Sequence, residues 1–326
     1  MDQKDILLTN ITIKGHFHDI YMYSRFLYLW KNKHEVRIYH WGKLMKEWAI
    51  EDLPIYQDRL HNQILKQTEN SLKPFLFKTI TFEKAVYDSL IYRHRLYYLN
   101  ENGFYYLEPE KATPTEILLT KGNFRTIKLN RSNRMILVSD ERGVFEWYDN
   151  KLIQWDSIPT YKMVWNDENI LQLDEHNRPI QLLQFEIHQK IPYLMKRIPA
   201  HDLSKMDLYY ETSLEIDKSE EEDYRISLFE FLPETESLSS KKIGEQVKLA
   251  LKPHKKLSGM VLDNHSLYLS QQKSKLSLEL KGDLFLSIAN DEYHTFRIYQ
   301  KSHHYQNQLH LLSDQQLTIL IFNQLL

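Results

Sequence analysis

The chain has 326 residues, 42% of them hydrophobic and 26% charged, with a formal net charge of −2. That length holds one large domain or two ordinary ones, and near-neutrality excludes a strong global field for gathering nucleic acid or membrane. The chain has no cysteine, which excludes disulfides, thiol nucleophiles and Cys-based zinc sites.

The first segment, "MDQKDILLTN", has no basic region leading into an apolar core, and no apolar run approaches the about 20 residues that span a bilayer. A cytoplasmic protein with no membrane partner is the expectation. Thirteen per cent of the residues are aromatic, led by 21 tyrosines, a bias toward strands and half-buried surfaces.

In chain order, "ILLTNITI" (6–13) is a spare strand. "FLYLWKNKHEVRIYHW" (26–41) is a hairpin around Lys31-Asn32-Lys33. Residues 51–74 predict a helical insertion: Asp52 can cap it, Pro54 suits its first turn, Leu60, Ile64 and Leu65 share a side, and Pro74 lies beyond its end. "LYYLNENGFYYLEPEK" (96–111) is a hairpin around Asn100-Glu101-Asn102-Gly103. Residues 124–155 parse as four strands with three polar turns, the third strand following Asp140-Glu141-Arg142-Gly143. Residues 160–185 give three strands again, with Asp174-Glu175-His176-Asn177 as a turn. Residues 215–245 read as an irregular acidic loop, and 267–280, 284–299 and 317–322 return to strand pattern.

Four-stranded antiparallel units recurring every ~40–50 residues mark a β-propeller. Within residues 121–185 the pattern resembles a WD40-type blade. A polar turn with Arg131 and Arg134 precedes the second strand, Asp140 to Gly143 precede the third, and Trp147-Tyr148-Asp149 stand where that family has Trp-Asp; the family's Gly-His pair is missing. The resemblance is to the propeller superfamily, not to WD40 proper. It implies an all-β, single-domain chain (1–326) of six or seven four-stranded blades. Their expected bounds are 16–50, 76–120, 121–158, 159–200, 201–253, 254–282 and 283–326, with 6–13 as a closing strand that removes an open edge. A pair of β-sandwiches is the rival architecture.

Three residue sets are candidates for chemistry. His16 and His18 share a strand face and could meet a metal with His40 or His303, although ordinary polar residues are the simpler reading and no metal or cofactor is expected. Asp19, Asp88 and Asp140 lie near strand ends, where a hydrolytic propeller would place its carboxylates. The basic run Lys121, Arg125, Lys128, Arg131, Arg134 and Arg142 could hold phosphates; Lys128, Arg131, Arg134 and Arg142 are its candidate binding residues, with a solvated face as the alternative. No nucleophile elbow or Gly-rich phosphate loop is present. The resemblance implies a non-catalytic scaffold that binds a protein partner through its loop faces. A glycan-active or other hydrolytic enzyme is the alternative, and a nucleic-acid-binding subunit the third reading.

Overall fold

Short polar turns cut this chain into strands, and two kinds of turn recur. In the first, Asn100 Oδ1 accepts the backbone N–H groups of Asn102 and Gly103 at 2.9 and 3.2 Å. In the next unit Ser139 Oγ accepts those of Glu141 and Arg142 at 3.3 and 3.1 Å. Each side chain stands in for a backbone acceptor and tightens the bend. Each bend ends on a glycine with positive φ, Gly103 (151°) and Gly143 (86°). A Cβ there would lie 2.2 Å from the Thr120 carbonyl oxygen and 2.3 Å from that of Asp156, so the neighbouring strand could not approach a larger residue. The second kind lacks glycine altogether: Ser24-Arg25 and Arg93-His94 each place two successive residues at positive φ. Such turns match strand twist but usually take Asn-Gly. The first is held by surrounding bonds: Arg25 N–H donates to the Tyr305 hydroxyl at 2.7 Å, and Trp41 N–H to the Arg25 carbonyl at 2.9 Å.

The computed structural model describes residues 6–48, 63–203 and 259–324, apart from 130–133, 149, 166–168, 177, 189–190, 263–264, 273–274, 281–282, 290–292, 294, 299–304 and 306–307. These fall into two compact units, one from the two ends of the chain and one from its middle.

The terminal unit begins with β1 (Ile6–Lys14), β2 (Asp19–Tyr23), β3 (Phe26–Asn32), β4 (Glu35–His40) and α1 (Trp41–Glu47). It continues with β5 (Gln63–Thr68), a 3-10 turn (Glu69–Phe75) and β6 (Leu76–Thr81). The middle unit supplies β7 (Asp88–Tyr92), β8 (Arg95–Asn100), β9 (Gly103–Leu107), β10 (Ile117–Lys121), β11 (Thr126–Leu129) and β12 (Met135–Ser139). After these come β13 (Gly143–Tyr148), β14 (Lys151–Asp156), β15 (Lys162–Trp165), β16 (Asn169–Leu173), β17 (Pro179–His188), β18 (Ile191–Pro199) and α2 (Ala200–Leu203). The terminal unit resumes with β19 (Gly259–Leu262), β20 (His265–Gln272), β21 (Lys275–Leu280), β22 (Asp283–Ala289), β23 (Thr295–Ile298), β24 (Gln308–Leu312) and β25 (Gln316–Gln324).

Among the described residues these strands form five four-stranded sheets and one of five strands. Three sheets, β7–β10, β11–β14 and β15–β18, make the middle unit, and the other three the terminal one. Alternation along each strand feeds two faces. Met135, Leu137 and Phe145 pack with Leu90, Tyr97, Leu99 and Phe104 of the preceding sheet. Ile136, Val138 and Val144 pack with Met163, Ile170, Leu183 and Phe185 of the following one. In the terminal unit Ile11, Ile13, Leu317, Ile319 and Ile321 meet Ile20, Met22, Leu27 and Leu29, with Trp41 and Leu44 of α1 closing the cluster.

In every four-stranded sheet the fourth strand carries one residue more than its partner. The extra residues are Phe77, Leu119, Trp155, Met195 and Phe285. The first four recur roughly every 40 residues, a repeat length that substitution of one apolar type for another conceals. A bulge here bends the outermost strand and spoils it as a template for further pairing.

The five-stranded sheet differs. β1 supplies its fourth strand, pairing antiparallel with β25 over nine residues without a bulge, from Ile6↔Gln324 to Lys14↔Gln316. β5 then lies parallel to β1 on the outside.

Three expected boundaries change. Part of the segment read as a helix over 51–74 is extended, because Gln63–Thr68 forms β5; residues 51–62 lie outside the described residues, as do 215–245. Pairing with β1 and packing of Leu65 against the terminal core override the helical spacing of Ile64 and Leu65. The first sheet takes its fourth strand from β6, beyond the expected limit at residue 50, since β4 pairs with β6 across the insertion. Finally, β22 belongs with β19–β21 rather than with the C-terminal strands.

Candidate functional site

The three acids considered for hydrolysis are each engaged by the fold. Asp19 opens β2 and takes Arg297 of β23 in a two-pronged pair, Nε at 3.0 Å and a terminal guanidinium nitrogen at 2.6 Å. Asp88 opens β7 in the corresponding place. Its two oxygens accept Ser89 N–H at 2.8 Å and Ile127 N–H of β11 at 2.9 Å. Both acids thus join the first strands of neighbouring sheets within one unit. Asp140 holds Arg125 at 2.8 Å. A fourth acid, Asp156, is buried and accepts Ile158 N–H at 2.8 Å and Gln172 Nε2 at 3.2 Å. Among the described residues no three His, Asp or Glu side chains gather as a metal cluster.

The basic turn is not one surface. Arg134 is buried, with 3% of its side chain exposed against 0% for Glu146. Its Nε donates to Glu146 Oε1 at 2.8 Å and a terminal nitrogen to Oε2 at 2.7 Å. The Trp155 indole also donates to Oε2, at 2.7 Å. The guanidinium lies 4.9 Å from the Phe185 ring centre, and Trp155 meets Phe185 edge-on at 5.2 Å. The ion pair and the bulged Trp155 thus lie within one sheet and meet Phe185 of the next through ring contacts, and Arg134 is buried against Glu146 rather than presented at the surface. Lys128 is half-buried on β11, Arg142 is exposed with its guanidinium 5.3 Å from the Phe145 ring, and Arg131 lies outside the described residues. A basic residue flanking a strand reads the same in sequence whether it points outward or folds back. Only the acid at 146, inside the apolar pattern of β13, hints at an internal pair.

Among the described residues the histidines join no group of three or more metal-ligating side chains. His16 donates through Nδ1 to the Asp314 carbonyl at 2.6 Å. His40 meets Phe26 at a tilt and Phe77 edge-on, each ring centre 5.0 Å away, and burial followed by the charge of Lys43 lowers its pKa. His303 lies outside the described residues. Sequence reading passed over His310, which is fully buried, faces Arg297 across β23–β24 and contacts Gln308 Oε1 at 3.0 Å. Burial first, then the Arg297 charge, pushes its pKa down to about 3. The unfolded chain takes up this proton near pH 6.5 while the folded chain does not. Stability is therefore unaffected by His310 above that pH and falls below it, by about 2 kcal/mol at pH 5. Urea titrations at pH 7 and pH 5 should show this loss, and His310→Gln should reduce it; an acid slope unchanged in the variant would remove His310 as its source.

A few large apolar side chains are also exposed. Tyr193 and Met195 of β18 are 49% and 62% exposed, followed by exposed Lys196 and Arg197. They lie on the β17–β18 ribbon, where Tyr193 is paired with Glu186 and Met195 is the bulged residue. In the terminal unit Leu76 and Phe77 are exposed on β6, with Phe77 4.9 Å from Phe26.

No family model matches the chain, and no curated protein does. Among solved structures, the N-terminal domain of Nup159 aligns over 98% of this chain and 96% of its own, at 9% identity and a TM-score of 0.53. The fold is a β-propeller. Looser likenesses are BBS1N, solved in complex with ARL6DN (8% identity, 98% and 97% of the two chains, TM-score 0.48), and a luciferin-regenerating enzyme (8%, 94% and 91%, TM-score 0.45). At such identities the likeness is one of fold, and fold leaves function open. The propeller's four-stranded sheets are its blades, and the sheet that joins β1 to β25 contains both ends of the described chain.

Proposed function

We propose that this propeller is a non-catalytic scaffold that binds a protein partner through a preformed surface. The observation that carries this reading is the exposed Tyr193 and Met195 on β18, beside the cations Lys196 and Arg197. Tyrosine, methionine and arginine are enriched in protein interfaces, and a rigid strand presents them with little ordering cost. Support comes also from the acids. Asp19, Asp88 and Asp140 hold strands and cations in place, each engaged by the fold rather than facing a second carboxylate as a hydrolytic pair requires.

The test separates scaffold from hydrolase. Partners captured from native lysate by the purified chain are identified by mass spectrometry, and their affinities are measured for wild type and variants. Asp19→Asn, Asp88→Asn and Asp140→Asn should each leave binding within a few fold, whereas Tyr193→Ala with Met195→Ala should weaken it about tenfold or more. Turnover of glycosides or esters by the wild type, abolished by one Asp→Asn change in a folded variant, would replace this reading with the hydrolytic one.

A further inference from the structure

Asn102-Gly103 is the one Asn-Gly pair in the sequence. Asparagine before glycine loses its side-chain amide most readily, because no Cβ hinders the following backbone nitrogen as it closes on the carboxamide carbon. The pair lies in the β8–β9 turn, where Asn102 is exposed to water and hydroxide. The corresponding turn of the next sheet has Arg142 before Gly143 and offers no carboxamide at that place.

The chemistry is a transfer of the acyl group followed by hydrolysis. The Gly103 nitrogen gives its proton to solvent base and attacks Asn102 Cγ. A bond forms between that nitrogen and Cγ, the Cγ–Nδ2 bond breaks, and ammonia leaves with a proton taken from solvent. Water then opens the five-membered imide at either carbonyl, which leaves aspartate or isoaspartate at position 102. Nothing is oxidised or reduced, and water is the only co-reactant.

The fold opposes the first step. The Gly103 N–H donates to Asn100 Oδ1 at 3.2 Å, and the same oxygen accepts Asn102 N–H at 2.9 Å. A nitrogen held as a donor keeps its proton and is a poor nucleophile. Gly103 is also fixed from both sides, paired with Asn100 on β8 and with Lys121 on β10. A Cβ on it would stand 2.2 Å from the Thr120 carbonyl oxygen, so its α-carbon has no room to swing. Asn100 is itself buried, which holds its carboxamide in place.

We infer that Asn102 is a deamidation site that Asn100 keeps closed, so that the folded chain converts it only as fast as the β8–β9 turn opens. Conversion is then hard to reverse by refolding, because isoaspartate adds a carbon to the backbone between Asn100 and Gly103 and pulls Gly103 out of register with both neighbours. The inference stands apart from the scaffold reading and uses none of its surface.

The experiment incubates the full chain in mildly alkaline buffer and resolves asparagine, aspartate and isoaspartate at position 102 by chromatography and mass spectrometry. The same chain unfolded in urea gives the reference rate. Folded wild type should react about tenfold more slowly or less, since only the locally opened fraction is reactive. Asn100→Ala removes the acceptor and should raise the folded rate toward the reference, with faster deuterium exchange at the Gly103 amide. Asn100→Asp offers a carboxylate to the same two N–H groups and should keep the site closed. Thermal melts would confirm that both variants stay folded during incubation. Equal rates in folded and unfolded wild type overturn the inference. So does a folded Asn100→Ala variant that reacts no faster than wild type, or product that forms first at another asparagine. Should Asn100→Ala fail to fold, Asn100→Asp still decides: a folded variant reacting at the reference rate overturns the inference, and one as slow as wild type upholds it.

Discussion

Glu146→Ala is expected to lower unfolding stability by about 3–5 kcal/mol, because it strands the Arg134 charge in a site with almost no access to water. The carboxylate at 146 satisfies three donors, two from Arg134 and one from Trp155, so its removal also leaves the indole N–H without its acceptor. Replacing both charges tests whether the loss comes from the uncompensated ion. Arg134→Met with Glu146→Leu should recover most of the stability, since a well-packed apolar pair is often as good as a buried salt bridge. Urea midpoints at constant m-value would measure both effects. A Glu146→Ala variant within about 0.5 kcal/mol of the wild type, the range of an ordinary surface substitution, would contradict an internal pair.

The second large effect concerns β1. Deleting residues 6–14 should remove fully buried Ile11 and Ile13 from the terminal core and expose a nine-residue unbulged edge on β25. The expected outcome is aggregation, or a melting transition lowered well below that of the intact chain. A milder change, Ile11→Ala, should cost about 2–5 kcal/mol through the cavity it leaves. A synthetic peptide covering residues 6–14 should restore solubility to the deleted chain by taking the vacant place. An unchanged melting curve after deletion would show that the β1–β25 pairing contributes nothing to the fold.

The parts of this fold that were legible in sequence are the local ones. The turns at Asn100–Gly103 and Asp140–Gly143 announce their hairpins because each needs a residue free to adopt positive φ. The strand patterns around them follow from alternation. Pairings set by distant chain were not legible. β5 contains residues at helical spacing and becomes a strand only because β1 lies beside it. β6 completes a sheet by pairing with β4 across residues 41–75, and loop closure over such a distance leaves no local mark. A bulge is invisible until two strands are aligned, since one extra residue is defined only against its partner. The candidate site fared similarly: the basic turn was read from charge, yet Arg134 is buried against Glu146. Ser24-Arg25 and Arg93-His94 escaped notice because neither turn contains the glycine that would have marked it.

The pairing of Ile6 with Gln324 also orders events during synthesis. Ile6 leaves the ribosome about 300 residues before the strand it pairs with. At about 5–20 residues per second, β1 waits on the order of tens of seconds for β25. Throughout that interval Ile11 and Ile13 have only part of their eventual surroundings, and β5, which emerges early, can meet β1 well before β25 arrives. The parallel β1–β5 pair can therefore form first and keep the apolar strand occupied until β25 is delivered. On this view β5 acts as a nursery partner, and weakening it should reduce the yield of folded chain during translation more than it reduces the stability of the finished protein.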